Sequence, residues 1–164
     1  MNARGRSISP DSVLERLDIA IASIHMPCFK DERTIDNVTA AYEKVMEHPY
    51  VDIIGHPDDG RFPVDMKRLV KKAKETGTLL EVNNSSLRPE GFRENTKENC
   101  LEMVKECKAQ GVMIVLGSDS HVDADIAEYP YAEEILRETD FPEELVANVS
   151  LEKLKACIKH GKKL

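Results

Sequence analysis

The chain lacks the sequence features of membrane, secreted and nucleic-acid-binding proteins. No apolar run approaches the roughly 18 residues that a membrane-spanning helix requires, and no segment has the pattern of a signal peptide. The 23 Lys and Arg residues are outnumbered by 30 Asp and Glu residues, which gives a formal net charge of -7. Binding to duplex phosphates needs clustered positive charge instead. We therefore predict a cytoplasmic protein without a membrane or nucleic-acid partner.

Cysteine is too scattered to form a zinc-binding cluster of thiolates. The chain contains Cys28, Cys100, Cys107 and Cys157, and no two of them form a C-x-x-C pair. Cys100 and Cys107 are seven residues apart, which places them on one face of a helix, so we predict that both are small core residues. Cys28 follows His25 by three residues. A thiolate ligand is possible there, but packing is the favoured interpretation.

Strand-like and helical patterns alternate along the chain. Apolar runs start near residues 18, 51, 78 and 112, and helical patterns lie between them at about 35–47, 64–76 and 96–110. Gly77 and Gly111 stand where helices end before strands begin. This alternation predicts an α/β fold of parallel βα units, and the nearly unbroken apolar strands predict a sheet that is covered on both faces. With 164 residues, the chain is long enough for one domain with a sizeable core.

Potential metal ligands follow three of the strand-like runs. Two runs end directly in His25 and His56, and a third is followed by Gly-Ser-Asp119-Ser-His121. Side chains two residues apart on an extended chain point the same way, so Asp119 and His121 are predicted to project together. Ligands of parallel βα folds gather at the carboxyl ends of the strands. The sequence therefore predicts a divalent metal site at this end of the sheet.

The two remaining histidines lie where helices are predicted to end. His48 precedes a proline and His160 precedes a glycine, and a histidine in the last helical turn is favoured by the helix dipole. We interpret both as structural. Further helices are predicted over 123–138, interrupted by Pro130, and over 150–160, with Ser150 as the N-cap.

A polar run, residues 83–86, follows the third strand with the sequence Asn-Asn-Ser-Ser. Its amides and hydroxyls can orient metal ligands or hold a substrate oxyanion. Asn and Ser also form turns, and the two interpretations are equally supported. On the functional interpretation, Asn83 and Ser85 are candidate substrate-binding residues.

Arginines near the predicted site are candidates for binding phosphate. Arg61 follows the His56 strand end, and its forked guanidinium suits a phosphate group, so we predict that it binds substrate. Arg88 and Arg93 can act in the same way. For these two, a solvated loop arginine is the favoured interpretation.

Four segments resemble, in order, the PHP (polymerase and histidinol phosphatase) superfamily. They are Leu17–His25, Asp52–Pro57, Leu80–Ser86 and Leu116–His121. The resemblance covers nearly the whole chain and is closest to the bacterial PHP phosphatases with a trinuclear zinc site. It implies a distorted (βα)7 barrel that hydrolyses phosphomonoesters with a metal-activated water. It also implies that His25, His56, Asp119 and His121 are metal ligands, and that Asp119 and His121 are catalytic.

The resemblance also indicates which family motifs are missing. Members usually open with a strand that ends in His-x-His, followed by a further His and a Glu, and none of these precedes Leu17. We therefore predict a single truncated PHP-type domain over residues 1–164, incomplete at its N-terminus. Such a sheet retains open edges, and helices from this chain are expected to cover only one face. A homodimer or larger oligomer through the open side of the sheet is the predicted remedy.

The predicted function is a metal-dependent phosphoesterase acting on a small phosphorylated substrate. Its nitrogen and oxygen donors suit zinc, with manganese or iron as alternatives. Because part of the metal cluster is missing, the chain alone is expected to be weak or inactive. The alternative is a non-catalytic metal-binding or interaction module derived from a PHP barrel. An amidohydrolase-like metal barrel would also end its strands in His and Asp, but the order of the four segments favours the PHP superfamily.

Overall fold

The polypeptide forms an α/β fold around a four-stranded parallel sheet, as predicted. The structure is a computed structural model that describes Met1 and residues 9–159. The strands are β1 Ile21–Ala22, β2 Ile53–Ile54, β3 Leu79–Asn83 and β4 Ile114–Gly117. They lie in the order β1-β2-β3-β4, and each is parallel to the next. Because the strand order never reverses, all crossovers advance in one direction, as they do in a βα barrel and do not in a doubly wound sheet.

Helices lie before, between and after the strands, and the three between residues 35 and 110 are at the predicted places. They are α1 Asp11–Leu14, α2 Ile35–Met46, α3 Met66–Thr76, α4 Thr96–Gln110, α5 Pro130–Glu138 and α6 Leu151–Cys157. Gly77 and Gly111 end α3 and α4 with φ of 65° and 68°, the left-handed conformation that glycine adopts without strain. No helix in the described part of the chain is long and apolar enough to cross a membrane.

The C-terminal segment differs from the prediction in its boundaries. The helix predicted over 123–138 is a 3-10 turn, Asp123–Asp125, followed by α5, because Pro130 occupies the first turn of that helix. Ser150 caps α6 as predicted, since its side chain accepts a hydrogen bond from the Lys153 N–H at 3.2 Å. His160 lies outside the described residues. His48 follows α2 and lies 3.1 Å from an oxygen of Asp11, in agreement with its structural interpretation.

The main core lies between one face of the sheet and helices α2, α3 and α4. Its fully buried members include Val38, Val45, Leu69, Val70, Met103 and Val104 from the helices and Ile54, Leu80 and Ile114 from the strands. Cys100 and Cys107 are both buried in this core with free thiols, as predicted. The core fixes the strands, and therefore fixes the strand ends that carry the predicted ligands.

The opposite face of the sheet is also covered by this chain. Ile53, Leu79 and Val115 are buried in a second cluster with Ala147, against which Leu154 of α6 packs. The expectation that helices of this chain cover only one face is therefore wrong, because the C-terminal elements fold back over the sheet. Ile21 on the edge strand β1 remains 58% exposed. The homodimer or larger oligomer stays a prediction.

The start of α3 provides a test of local stability. The Asp65 carboxylate accepts a hydrogen bond of 3.1 Å from the backbone N–H of Arg68 and thereby caps the helix. We expect Asp65→Ala to lower the free energy of unfolding by about 1 kcal/mol, measured by urea denaturation. Asp65→Asn keeps a capping oxygen and should retain most of this stability. Equal loss in both variants would mean that the cap is not the source of the effect.

Candidate functional site

His25 and His56 lie side by side beyond the carboxyl ends of β1 and β2. Their ring centroids are 5.0 Å apart in an edge-to-face arrangement. His25 is exposed, and its Nε2 lies 2.8 Å from the Ser23 hydroxyl. His56 is 6% exposed, and its Nδ1 is buried without a hydrogen-bond partner among the described residues. Since buried polar atoms are almost always paired, this nitrogen indicates a missing partner, and a metal ion is a suitable one.

Both histidines are held in the neutral form. Burial, together with the positive charge of Arg93, lowers the pKa of His56 to about 4. Partial burial of the imidazole also lowers the pKa of His25, and the Met1 amino group and Arg93 act in the same direction. Neutral imidazole is the form that binds metals, so the electrostatics of the site fit a metal-ligand role.

Asp119 and His121 follow β4 but do not lie on an extended strand. Asp119 has a φ of 48°, in the left-handed region, so the rule that side chains two apart point the same way does not apply. The Asp119 carboxylate accepts a hydrogen bond from Arg93 at 3.0 Å. Burial acts to raise the pKa of Asp119, but the bond and charge of Arg93 outweigh it, and the pKa lies below its usual range. His121 is exposed, and its Nδ1 lies 3.0 Å from the Asp119 carbonyl.

The predicted ligands are brought together only in part. Across Met1 and residues 9–159, no three His, Cys, Asp or Glu side chains are arranged to hold one ion. His25 and His56 form a pair, and Asp119 is close enough to both for its charge to affect them, yet its carboxylate is engaged by Arg93. In the described part of the chain, no hydrogen bond or ring contact links His121 to the histidine pair. The four-residue ligand set stays a prediction.

A buried arginine, Arg93, organises the polar groups beside the histidines. Its side chain is only 7% exposed, so its interpretation as a solvated loop arginine is wrong. The guanidinium donates to the Ser86 hydroxyl at 2.8 Å, to Asn83 Oδ1 at 3.3 Å and to Asp119 at 3.0 Å. Its Nε is buried and makes no hydrogen bond with any described residue, and an Asp59 carboxylate oxygen lies 3.9 Å from it. A buried cationic N–H without a hydrogen-bond acceptor is suited to binding an anion.

The other two arginines occupy different environments. Arg61 binds the Asp59 carboxylate through two nitrogens at 2.9 and 2.6 Å, and its guanidinium carbon lies 4.8 Å from the centroid of the Phe92 ring. Arg93 approaches the same ring at 5.3 Å. Arg88 is 41% exposed and paired with Asp125, as expected for a solvated loop residue.

The run after β3 forms a turn as well as part of the site. Asn83 is 1% exposed, and its Oδ1 accepts the Ser86 N–H at 2.8 Å, which closes the turn. The turn interpretation is therefore confirmed for Asn83, while its substrate-binding role stays a prediction. Ser85 lines an open cavity of about 280 Å³ with Arg88, Glu90, Gly91, Phe92 and Arg93.

Sequence reasoning missed the buried carboxylates, among them Glu81 and Asp58. Glu81 on β3 is 8% exposed, and burial raises its pKa above the usual range. Asp58 is 1% exposed, neither of its side-chain oxygens makes a hydrogen bond within the described residues, and burial raises its pKa to about 7. A charged residue inside the apolar run of β3 was a readable signal for Glu81, because Glu is almost never fully buried unless it is paired. The loop sequence around Arg93 carries no comparable signal.

Asp58 gives the metal-free chain a defined pH dependence. Its folded-state pKa of about 7 lies above the unfolded value of 3.8. The folded state therefore binds the extra proton, and stability is lost as the pH rises through 7. The wild type should lose this free energy of unfolding as the pH rises from 4 to 8, whereas Asp58→Asn should not. The stability of Asp58→Asn relative to the wild type should therefore increase by about 2–4 kcal/mol over this range. Urea denaturation in chelator tests this, and a difference that is independent of pH would contradict it.

The chain is similar to bacterial proteins named probable phosphatase. It is 45% identical to the one from Clostridium novyi over 161 residues, which cover 98% of this chain and 65% of the relative. It is 42% identical to one from Acetivibrio thermocellus over 153 residues, covering 93% and 62%. It is 35% identical to one from Clostridium acetobutylicum over 164 residues, which cover 100% of this chain and 66% of the relative. No family model matches the chain. The chain thus spans slightly less than two thirds of the length of these relatives.

Proposed function

From the homology of this chain to probable phosphatases, we propose that it forms the C-terminal part of a metal-dependent phosphomonoesterase of the PHP superfamily. The supporting observation is a set of buried polar atoms in one cluster, two of which suit a metal ion and a phosphate group. Within Met1 and residues 9–159, neither His56 Nδ1 nor Arg93 Nε has a hydrogen-bond partner. A divalent ion and a phosphoryl group satisfy these two atoms together, and a phosphomonoester bound to a metal supplies both.

His25, His56 and Asp119 are the proposed metal ligands, and His121 from the same loop as Asp119 completes the set. Their nitrogen and oxygen donors suit zinc, manganese or iron. A bound ion of this kind lowers the pKa of a water and neutralises phosphoryl charge. Asp119 is already ionised beside Arg93, so it is available as a ligand near neutral pH.

Arg93 is the proposed phosphate-binding residue. Two neutral acceptors, Ser86 and Asn83, bind one nitrogen of its guanidinium, and the Nε, which donates no hydrogen bond within the described residues, is left for an oxyanion. Arg61 is fixed by Asp59 close to Phe92, and Ser85 lines the adjoining cavity. We propose that these residues contact the leaving group of a small phosphorylated substrate.

The activity of the chain alone depends on ligands outside it. About a third of each relative lies outside the matched region, and we propose that this additional length supplies the remaining cluster ligands. With fewer charges to activate water and stabilise the transition state, the 164-residue chain should be a weak catalyst. Hydrolysis of p-nitrophenyl phosphate with added zinc, manganese or magnesium tests this against a full-length relative.

A second candidate is a metal-binding module without turnover, which the partial coverage of the relatives favours. Low turnover that disappears in Arg93→Met supports the enzyme. Zinc binding with no turnover, or with turnover unchanged by Arg93→Met, supports the module. Turnover equal to that of the full-length relative would contradict the requirement for additional ligands.

A further inference from the structure

The Glu81 carboxylate lies across the ends of three neighbouring strands. Glu81 belongs to β3. Its Oε2 accepts a hydrogen bond of 2.7 Å from the backbone N–H of His56, which lies just beyond β2. The same oxygen accepts from Asn83 Nδ2 at 3.1 Å. On the other side, the carboxylate covers Gly117 of β4. One buried side chain therefore connects the strand ends that precede the candidate ligands.

Two glycines leave the space that this carboxylate occupies. A Cβ on Gly117 would lie 1.9 Å from Glu81 Oε1 and 2.8 Å from its Cδ, so no other residue fits unless Glu81 moves. A Cβ on Gly55 would lie 3.4 Å from Oε2 and 3.0 Å from a methyl carbon of Ile21. Glu81 can therefore occupy its observed position only because residue 117 is a glycine.

The hydrogen bond from His56 to Glu81 acts on a backbone that is strained. His56 has a φ of 35°, in the left-handed region that non-glycine residues seldom adopt. Such a conformation persists only where its surroundings hold it, and Glu81 binds the N–H of that same residue. The backbone conformation in turn sets the direction in which the His56 side chain leaves the chain, and its Nδ1 is buried with no hydrogen-bond partner among the described residues.

We propose that Glu81 is a positioning residue that holds His56 in its ligand conformation from behind, and that Gly117 provides the necessary space. The proposal rests on the proposed function for the identity of the ligand, a divalent metal ion. Its structural part, the control of His56 by Glu81, applies equally to the metal-free chain. Residues behind metal ligands commonly alter metal affinity by about 10- to 100-fold.

The first experiment measures hydrogen exchange of the His56 amide in the metal-free chain by NMR. Glu81→Ala removes the acceptor, so exchange should rise about 10- to 100-fold at His56. Glu81→Gln retains an acceptor oxygen and should change exchange by less than about threefold. Glu75→Ala on the exposed surface of α3 is the control for loss of a glutamate. Unchanged exchange at His56 in Glu81→Ala would overturn the proposal.

The second experiment measures zinc affinity by calorimetric titration. Glu81→Ala should bind zinc about 10- to 100-fold more weakly, and Glu81→Gln should stay close to the wild type. Equal loss in both variants would overturn the positioning role, because it would mean that the charge of Glu81, or direct ligation by it, is what matters. If the wild-type chain binds no zinc, the proposed function fails, while the exchange experiment still decides the role of Glu81.

Gly117→Ala provides a third, independent variant that displaces Glu81 without deleting it. It should raise exchange at the His56 amide although position 117 is on a different strand. In the Glu81→Ala background the new methyl group has room, so Gly117→Ala should add little further effect. Additive effects of the two substitutions would overturn the coupling. If Glu81→Ala does not fold, the other two variants still test the proposal. Exchange at the His56 amide should stay near the wild-type rate in Glu81→Gln and should rise in Gly117→Ala.

Discussion

His56→Ala is expected to weaken zinc binding by about 100-fold or more. Outer-shell partners of a metal ligand already change affinity by about 10- to 100-fold, and His56 is proposed as a direct ligand. Its ring is buried beside His25, its pKa is lowered to about 4, and its Nδ1 has no other partner in the described part of the chain. The wild-type imidazole therefore needs neither deprotonation at pH 7 nor release from a hydrogen bond at Nδ1 before it can bind a metal.

Two controls separate ligation from changes in the fold. Alanine is strained at the positive φ of position 56, whereas His56→Gly relieves that strain and should lose zinc to the same extent. His48→Ala removes a histidine that bonds to Asp11 instead and should leave zinc affinity unchanged. Isothermal titration with zinc measures all three variants. Zinc affinity within a few fold of the wild type in His56→Gly would contradict the assignment.

Arg93→Met is expected to weaken the binding of inorganic phosphate to the zinc-loaded chain by about 10- to 100-fold. Hydrogen bonds to charged groups contribute about 1.5–3 kcal/mol each, and Arg93 offers a buried N–H that donates to no group in the described part of the chain. Arg93→Lys keeps the charge but loses the forked geometry, so an intermediate affinity is expected. Phosphorus-31 NMR titration measures the change.

The matched control for this prediction is Arg68→Met. Arg68 is a partly exposed arginine on α3 that pairs with Asp36 and Glu43 and should not affect phosphate binding. Removing Arg93 also leaves Asp119 without its cationic partner, so urea denaturation must confirm that the variant is folded. Phosphate affinity that is unchanged in a folded Arg93→Met would exclude Arg93 as the phosphate-binding residue.

The sequence predicts the secondary structure of this chain well because local patterns determine it. The periodicity of α2, α3 and α4 and the glycines at 77 and 111 are properties of short segments, and the structure has these elements at the predicted places. The positions of His25 and His56 were predictable for the same reason. Each follows a strand, and parallel strands bring their carboxyl ends to one edge of the sheet.

The remaining parts of the site depend on contacts between residues far apart in sequence. Arg93 is buried because Asp119, 26 residues away, and Ser86 bind its guanidinium, and no local pattern of the loop records this. The predicted alignment of Asp119 with His121 assumed an extended chain, and the positive φ at Asp119 removes that assumption. The second face of the sheet is covered by C-terminal residues such as Ala147, whose return over the strands is likewise a long-range property.

X-ray absorption spectroscopy at the zinc edge of the zinc-loaded chain tests the central claim most directly. That claim is a metal centre formed by histidines at the ends of β1 and β2, with oxygen donors beside them. The predicted result is a first shell of nitrogen and oxygen at about 2.0–2.1 Å, with imidazole scattering that is lost in the double variant His25→Ala, His56→Ala. A sulfur scatterer at about 2.3 Å, which would indicate Cys28, or an unchanged spectrum in the double variant would contradict the claim.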